Sequence, residues 1–212
     1  MKISDIGFSV SKIDGQRVVS FGVVVKNESS KIADQADIAI RLLDSSGRPI
    51  AFGEAADRVR KEADRLVWAL RPGQRHGIGE AVYLDPAISA STEVARVDAK
   101  IDSTVWAGKK VHGLPNFTLG DLRIQRDGHG SSGRIRFSVN SPYDEPAPSS
   151  CVDVVFRDSR GEIVGGEHPS DVTPERFPAG KSKATALVVY LPPSTEDTES
   201  EMYAAAVCNN PN

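Results

Sequence analysis

A pattern that occurs twice along the chain constrains its fold more than any other feature. In each copy an apolar run ends at an Asp-x-x-Gly turn, first at Asp44–Gly47 and again at Asp158–Gly161. Each copy then has a turn containing Pro and Gly, followed by a strand pattern, Val82-Tyr83-Leu84 in the first and Val189-Tyr190-Leu191 in the second. The spacing from this turn to the strand is the same in both. A repeat of this kind predicts a duplicated domain.

Length and composition agree with two domains. The chain has 212 residues, enough for two compact domains of about 100 residues each. We predict a first domain over residues 1–107, a linker over 108–116 and a second domain over 117–212. Apolar residues make up 39% and charged residues 26%, values typical of a folded protein. The formal net charge of −3 gives no electrostatic reason to expect nucleic acid or an anionic membrane as a partner.

Short segments with alternating apolar residues follow one another through both halves. Segments of this length, separated by turn signals, are typical of a β-sandwich. In the first half we predict strands at Ile3–Val10, Arg17–Lys26, Asp37–Leu43, Pro49–Phe52, Val67–Leu70, Gly77–Leu84 and Glu93–Ile101. In the second half we predict strands at Leu119–Ile124, Gly133–Val139, Cys151–Phe156, Glu162–Gly165, Lys183–Leu191 and Glu201–Cys208. A further strand around Val172–Phe177 is interrupted by prolines, which cannot donate to a central ladder.

One segment departs from the repeat. Between its two turns the first half has seven additional residues, and Ala55, Val59, Ala63 and Leu66 recur there at helical spacing. This periodicity predicts a short helix over residues 54–66. The helix either covers the open end of the first core or docks into the groove of a partner.

Three residues are candidates for structural roles. Cys151 and Cys208 lie at the start of a central strand and at the end of the last strand, so they either form a disulfide or remain as two thiols. A disulfide would favour an extracytoplasmic location. Trp106 either packs in the groove between the domains or completes the core of the first domain.

No residue pattern points to catalysis, a metal or a cofactor. The histidines are isolated and lack ligand spacing: His76, His112, His129 and His168. His168 lies near Ser170 and Asp171, but neighbouring residues of a strand point to opposite faces and form no relay by sequence proximity. Gly165-Gly166 is interpreted as a hairpin turn, since it lacks the setting of a phosphate-binding loop. We therefore expect no enzyme and no cofactor.

The turns and the strands that precede them carry a resemblance to a known family. In the first half the residues are Val23–Asn27, Leu42–Gly47 and Leu70–Gly73, and in the second they are Phe137–Asn140, Phe156–Gly161 and Phe177–Gly180. This series resembles the FxLYD-like group of immunoglobulin-like domains. The resemblance implies an all-β fold of two tandem immunoglobulin-like (fibronectin III-like) β-sandwiches. It also implies non-enzymatic modules of bacterial envelope or secreted proteins, and it supplies no site residues.

The expected function is that of a binding, spacer or assembly module outside the cytoplasm, acting on a protein partner through edge strands. An alternative is a structural subunit of a larger homo-assembly, such as a phage or secretion apparatus. A third hypothesis is a hydrolase with an unrecognised site. No apolar run reaches the roughly 20 residues that span a bilayer, so this segment is expected not to insert into a membrane. The basic and apolar pattern of a signal peptide is missing at Met1, and we expect the targeting segment to be absent from this chain.

Overall fold

The structure is a computed structural model that describes residues 1–52, 63–84, 92–107, 116–128, 131–147 and 151–205. Within these ranges the chain forms thirteen strands and no helix. The strands are β1 Lys2–Ile13, β2 Gln16–Lys26, β3 Ala33–Leu43, β4 Ala63–Leu70, β5 Arg75–Tyr83, β6 Arg96–Trp106, β7 Thr118–Arg126, β8 Gly133–Ser141, β9 Cys151–Arg157, β10 Ile163–Glu167, β11 Asp171–Thr173, β12 Gly180–Val188 and β13 Glu201–Ala205. The all-β prediction is confirmed.

The strands form four antiparallel sheets. In spatial order, sheet I contains β1, β2 and β5, and sheet II contains β4, β3 and β6. Sheet III contains β10, β9 and β13, and sheet IV contains β11, β12, β8 and β7. Every described pairing is antiparallel.

Two large apolar clusters lie between pairs of sheets. The first joins sheets I and II through side chains such as Phe21 and Ile78 on one side and Ile38 and Val67 on the other. The second joins sheets III and IV, with Phe156 at its centre and further residues from β8 and β12. Because apolar side chains alternate along these strands, each sheet buries one face in its cluster.

Sheets I and III also pack against each other. The β2 strand is buried almost continuously from Val18 to Val25, which requires cover on both of its faces. One face belongs to the first cluster, and the other lies against β9 and β10 of sheet III. The layers therefore follow the order II, I, III, IV.

The structure corrects the predicted helix. Residues 54–62 lie outside the described ranges, but Ala63–Leu70 is the strand β4, so the helix is wrong over residues 63–66. Ala63 and Val67 both belong to the first cluster. Residues four apart share a face in a strand as well as in a helix, so their spacing alone could not separate the two structures.

Two other local predictions are also wrong. Pro49–Phe52 is not a strand, since its ends form only isolated bridges, to Leu43 and to Leu84. Gly165 and Gly166 are not a hairpin turn but lie within β10. In the proline-rich segment, Asp171–Thr173 does form a strand, at an edge of sheet IV, where proline is tolerated next to a ladder. The predicted linker lies outside the described residues except for Asn116.

Candidate functional site

The junction between sheets I and III is lined by glycine and contains several buried polar groups. The glycines are Gly7, Gly22, Gly77 and Gly79 of sheet I and Gly165 and Gly166 of sheet III. A Cβ on Gly22 would lie 2.7 Å from the carbonyl oxygen of Gly165, and one on Gly166 would lie 2.7 Å from the Cα of Gly79. Only residues without a side chain permit this approach of one backbone to another.

Hydrogen bonds cross the junction at the same points. The Ser20 hydroxyl donates to the carbonyl oxygen of Gly166 and accepts from the Gly166 N–H, both at 2.8 Å. The Gly79 N–H donates to Asp153 Oδ1 at 3.2 Å. Ser20 is completely buried. Its hydroxyl needs both partners, since an unpaired buried polar group is costly.

A small apolar cluster fills the remaining space. Val24 of β2 packs with Val155 of β9 and Ile163 of β10, and Tyr203 of β13 covers them. The Tyr203 ring also lies 5.6 Å from the ring of His76, centroid to centroid. Apolar contacts and paired polar groups therefore both hold sheet I against sheet III.

A buried arginine connects the two halves through an ion-pair network. Arg157 is 6% exposed, and its guanidinium donates to Asp5 Oδ2 at 2.6 Å and to Glu201 Oε1 at 2.9 Å. Burial alone would lower the pKa of Arg157, but the hydrogen bonds and charges of Asp5 and Glu201 raise it. Arg75 approaches the same Glu201 oxygen at 3.3 Å, and Tyr203 donates its hydroxyl to the other oxygen. This arginine stays charged and fixes β1 against β9.

Two histidines share one carboxylate at the side of the junction. His168 Nδ1 lies 3.3 Å from Asp153 Oδ1, and His76 Nε2 lies 4.0 Å from Asp153 Oδ2. The hydrogen bond to Asp153 raises the pKa of His168, whereas burial lowers the pKa of His76. One histidine therefore favours the imidazolium and the other the neutral ring. The Arg65–Glu80 ion pair lies close enough to influence the charge of His168.

Next to this cluster, Glu167 is buried at the end of β10. It is 5% exposed, and its two oxygens accept hydrogen bonds from the N–H groups of Val189 and Tyr190 at 2.7 and 2.9 Å. Burial raises the pKa of Glu167 to about 7, although both N–H donors act in the opposite direction. The carboxyl group joins sheet III to the end of β12.

A hydrolytic relay requires a histidine that contacts a nucleophilic side chain. In the described ranges no Ser, Thr or Cys side chain hydrogen-bonds to His76 or His168. A cleft of about 170 Å³ reaches His76, with Arg75, Phe117 and Tyr203 among its lining residues, but it does not include His168. Among the residues that the structure describes, no three His, Cys, Asp or Glu side chains are placed to hold a metal ion. The geometry serves to bind one sheet to another.

The structure places the predicted candidates apart from this junction or leaves them untested. Cys151 begins β9, but Cys208 lies outside the described residues, so the disulfide stays a prediction. Trp106 ends β6 opposite Ala33 and is 36% exposed. Its packing between the domains also stays a prediction, because residues 108–115 lie outside the described ranges. His112 and His129 lie outside the described residues as well.

Sequence reasoning missed the residues of the junction. Gly77-x-Gly79 and Gly165-Gly166 are the local signal, since glycine inside a strand marks the close approach of another backbone. The nearly unbroken apolar run Val18–Val25 is the second signal, because it indicates a strand covered on both faces. The pairing of His168 with Asp153 has no local signal, since it depends on the packing of β10 beside β9.

Comparison with protein-family models finds no match for this chain, and a search of curated proteins finds none either. In the described part of the chain, no helix has the length and apolar character needed to cross a membrane.

Proposed function

We propose that the chain is a non-catalytic module composed of two tandem immunoglobulin-like sandwiches, residues 1–107 and 117–212, held together as one rigid unit. The observation that carries this proposal is the glycine-lined junction between sheets I and III. Domains that move independently need no such close approach of one backbone to another, whereas this junction requires glycine at its closest contacts. The FxLYD-like resemblance of both halves supports the same assignment.

Rigidity follows from the chemistry of the junction. Separation of the sheets would expose the small apolar cluster and leave the Ser20 hydroxyl to find new partners in water. It would also break the contact between Arg157 and Asp5. These losses occur together, because all three contacts lie in the same pair of sheets. The module therefore acts as a spacer of fixed length.

A protein partner would dock at the outer end formed by sheet II. The edge strand β6 of this sheet carries Val105, which is 53% exposed, beside the partly exposed Trp106. An edge strand has unpaired N–H and C=O groups that can accept a strand of another protein. Exposed apolar side chains at the same edge would add affinity.

The proposed location is extracytoplasmic, in the envelope or secreted, and rests on the predicted Cys151–Cys208 disulfide. A count of free thiols in unreduced, denatured protein tests it. We expect none, and a count of two would remove this argument.

Small-angle X-ray scattering tests the rigid unit. We expect the profile to fit a four-layer stack and to remain the same at low and high salt. The variant Gly166→Val, which places a side chain against the backbone of β2, should give a larger radius of gyration, whereas Gly120→Val on the outer face of sheet IV should not. A wild-type profile that requires two independently moving domains would contradict the proposal. A defined higher-order particle would favour the alternative of a homo-assembly.

A further inference from the structure

The outer face of sheet IV carries a concentration of positive charge. Along β8, Ile135, Phe137 and Val139 point into the second cluster, so Arg134 and Arg136 point to solvent. In the ladder, Arg123 of β7 lies opposite Arg136. The face is therefore basic on two neighbouring strands.

The third strand extends the same surface. Lys183 of β12 lies opposite Ser138, and Lys181 lies opposite Asn140. All five cations are exposed: Arg123, Arg134, Arg136, Lys181 and Lys183. None of them forms an ion pair with a carboxylate of the described residues. The four strands contain only two carboxylates, Asp121 at the bulge of β7 and Asp171 on the edge strand β11.

This charge is opposite in sign to that of the whole chain, which has a formal net charge of −3. Uncompensated charges that share one face raise the local potential and attract a partner of opposite sign. The partner of this face is therefore anionic.

Two exposed apolar side chains follow the lysines, one near the end of β12 and one just beyond it. Leu187 is 39% exposed and Val189 is 56% exposed. Leu187 continues the alternation of Lys181 and Lys183 along β12 and lies opposite Arg134, so it points to the same side as the cations. Val189 directly follows the last residue of this strand. A surface with cations and exposed aliphatic groups on one side suits the boundary between lipid headgroups and acyl chains.

The shape of the face favours an anionic lipid surface over double-stranded or single-stranded nucleic acid. The cations extend over three strands, about 10 Å across, and over about 20 Å along the strands. A flat surface of this kind meets a double helix only along a line. Single-stranded nucleic acid needs aromatic rings for base stacking, and the only aromatic residue within the strands of sheet IV, Phe137, is buried.

The geometry points to an anionic lipid surface as the partner of the outer face of sheet IV. The lysines and arginines contact the headgroup phosphates, and Leu187 and Val189 enter the interface between headgroups and acyl chains. Each Lys or Arg contributes modestly, so five together are needed for stable adsorption. With the sheets about 10 Å apart, the stack would hold sheet II about 30 Å from the lipid. Only this spacing rests on the proposed rigid unit, and the adsorption itself does not.

Co-sedimentation with vesicles tests the inference. The full chain should bind vesicles that contain phosphatidylglycerol in phosphatidylcholine, should bind vesicles of phosphatidylcholine alone far less, and should lose affinity as salt rises. The variant Lys181→Glu/Lys183→Glu should bind at least about 30-fold more weakly. The matched control is Lys12→Glu/Lys31→Glu, which changes the net charge equally at two exposed lysines of the first half and should stay within about threefold of wild type. Leu187→Ser/Val189→Ser should weaken binding while leaving its salt dependence unchanged.

Each opposite result would overturn the inference. Absence of binding to anionic vesicles excludes the lipid surface, and an equal loss in both lysine double variants assigns binding to net charge rather than to this face. Binding to duplex DNA or to an acidic polypeptide but not to vesicles would identify another class of partner. Circular dichroism of every variant excludes misfolding as the cause, and the scattering experiment on the stack tests rigidity separately.

Discussion

Gly79 shows at the scale of one residue what allows sheets I and III to approach so closely. A Cβ at this position would overlap the carbonyl oxygen of Val154 and the backbone N–H of Glu167. Both neighbours are backbone atoms, which cannot rotate away as a flexible side chain can. The hydrogen atom of glycine is therefore a packing requirement, since no positive φ angle is recorded there.

We expect Gly79→Ala to lower the free energy of unfolding by about 2 kcal/mol or more, because the added methyl group overpacks the junction. The control is Gly120→Ala, where the nearest atom is the Ser138 hydroxyl oxygen at 3.3 Å. This control should change stability by less than about 0.5 kcal/mol. Urea unfolding measures both, and equal effects would show that the junction is not tightly packed.

Glu167 predicts a pH dependence. Its pKa in the folded protein is about 7, above the ordinary value of 4.5, so the folded state holds a proton that the unfolded state has released. Binding of this proton stabilises the folded state, and the stabilisation is fully present below pH 4.5. As the pH rises to about 7 it is lost, which lowers the free energy of unfolding by about 3 kcal/mol.

The glutamine of Glu167→Gln stays neutral at every pH. This variant should therefore lack the fall in the free energy of unfolding that Glu167 causes as the pH rises to about 7. Urea unfolding of both proteins at about pH 5 and about pH 8 measures it. The difference between the two proteins isolates Glu167, because His76 and His168 titrate in both. The same pH dependence in wild type and variant would contradict the assignment.

At the scale of elements, the Asp-x-x-Gly turns were predictable and the structure confirms them. Asp44 Oδ1 accepts the N–H groups of Ser46 and Arg48, both at 2.9 Å, and Asp158 Oδ1 accepts those of Arg160 and Glu162 at 2.9 and 3.0 Å. The Ser46 hydroxyl also donates to Asp44 Oδ1. This bond is the largest cause of the lowered pKa of Asp44, and the two N–H groups act in the same direction. Their signal lies within five residues of sequence, so no tertiary information is needed.

The pairing of sheets was harder to predict. The strand β4 has the same spacing of apolar residues as a helix, and only its ladder with β3 separates the two. Likewise, the Arg157 network joins residues more than 40 positions apart, and its charge is not distinguishable in sequence from that of exposed arginines such as Arg160. Local patterns therefore identify strands and turns but not which sheets meet.

We predict that Arg157→Leu lowers the free energy of unfolding by about 2 kcal/mol, because it leaves Asp5 and Glu201 without their shared cation. The matched control is Arg160→Leu in the adjacent turn. The Arg160 side chain is 80% exposed, so this change should cost less than about 1 kcal/mol. Thermal unfolding of the two variants and of the wild-type protein measures both losses of stability. A larger loss for Arg160 would place the stabilising charge in the turn rather than in the junction.

At the scale of the whole molecule, the layers II, I, III and IV form a stack whose two ends differ. Sheet II presents an edge with Val105 and Trp106, and sheet IV presents five exposed cations. The predicted duplication suggests two independent domains, but β2 and most of β9 and β10 in the middle sheets are buried in a way that such domains would not need. The central claim is therefore that the two halves fold and unfold as one unit.

Denaturant unfolding followed by two signals tests that claim most directly. Both tryptophans, Trp68 and Trp106, lie in the first half, so tryptophan fluorescence reports that half alone, whereas far-ultraviolet circular dichroism reports both. We predict that the two transitions coincide in the wild-type protein and separate in Gly79→Ala. Transitions that already occur at different urea concentrations in the wild type would contradict the single unit.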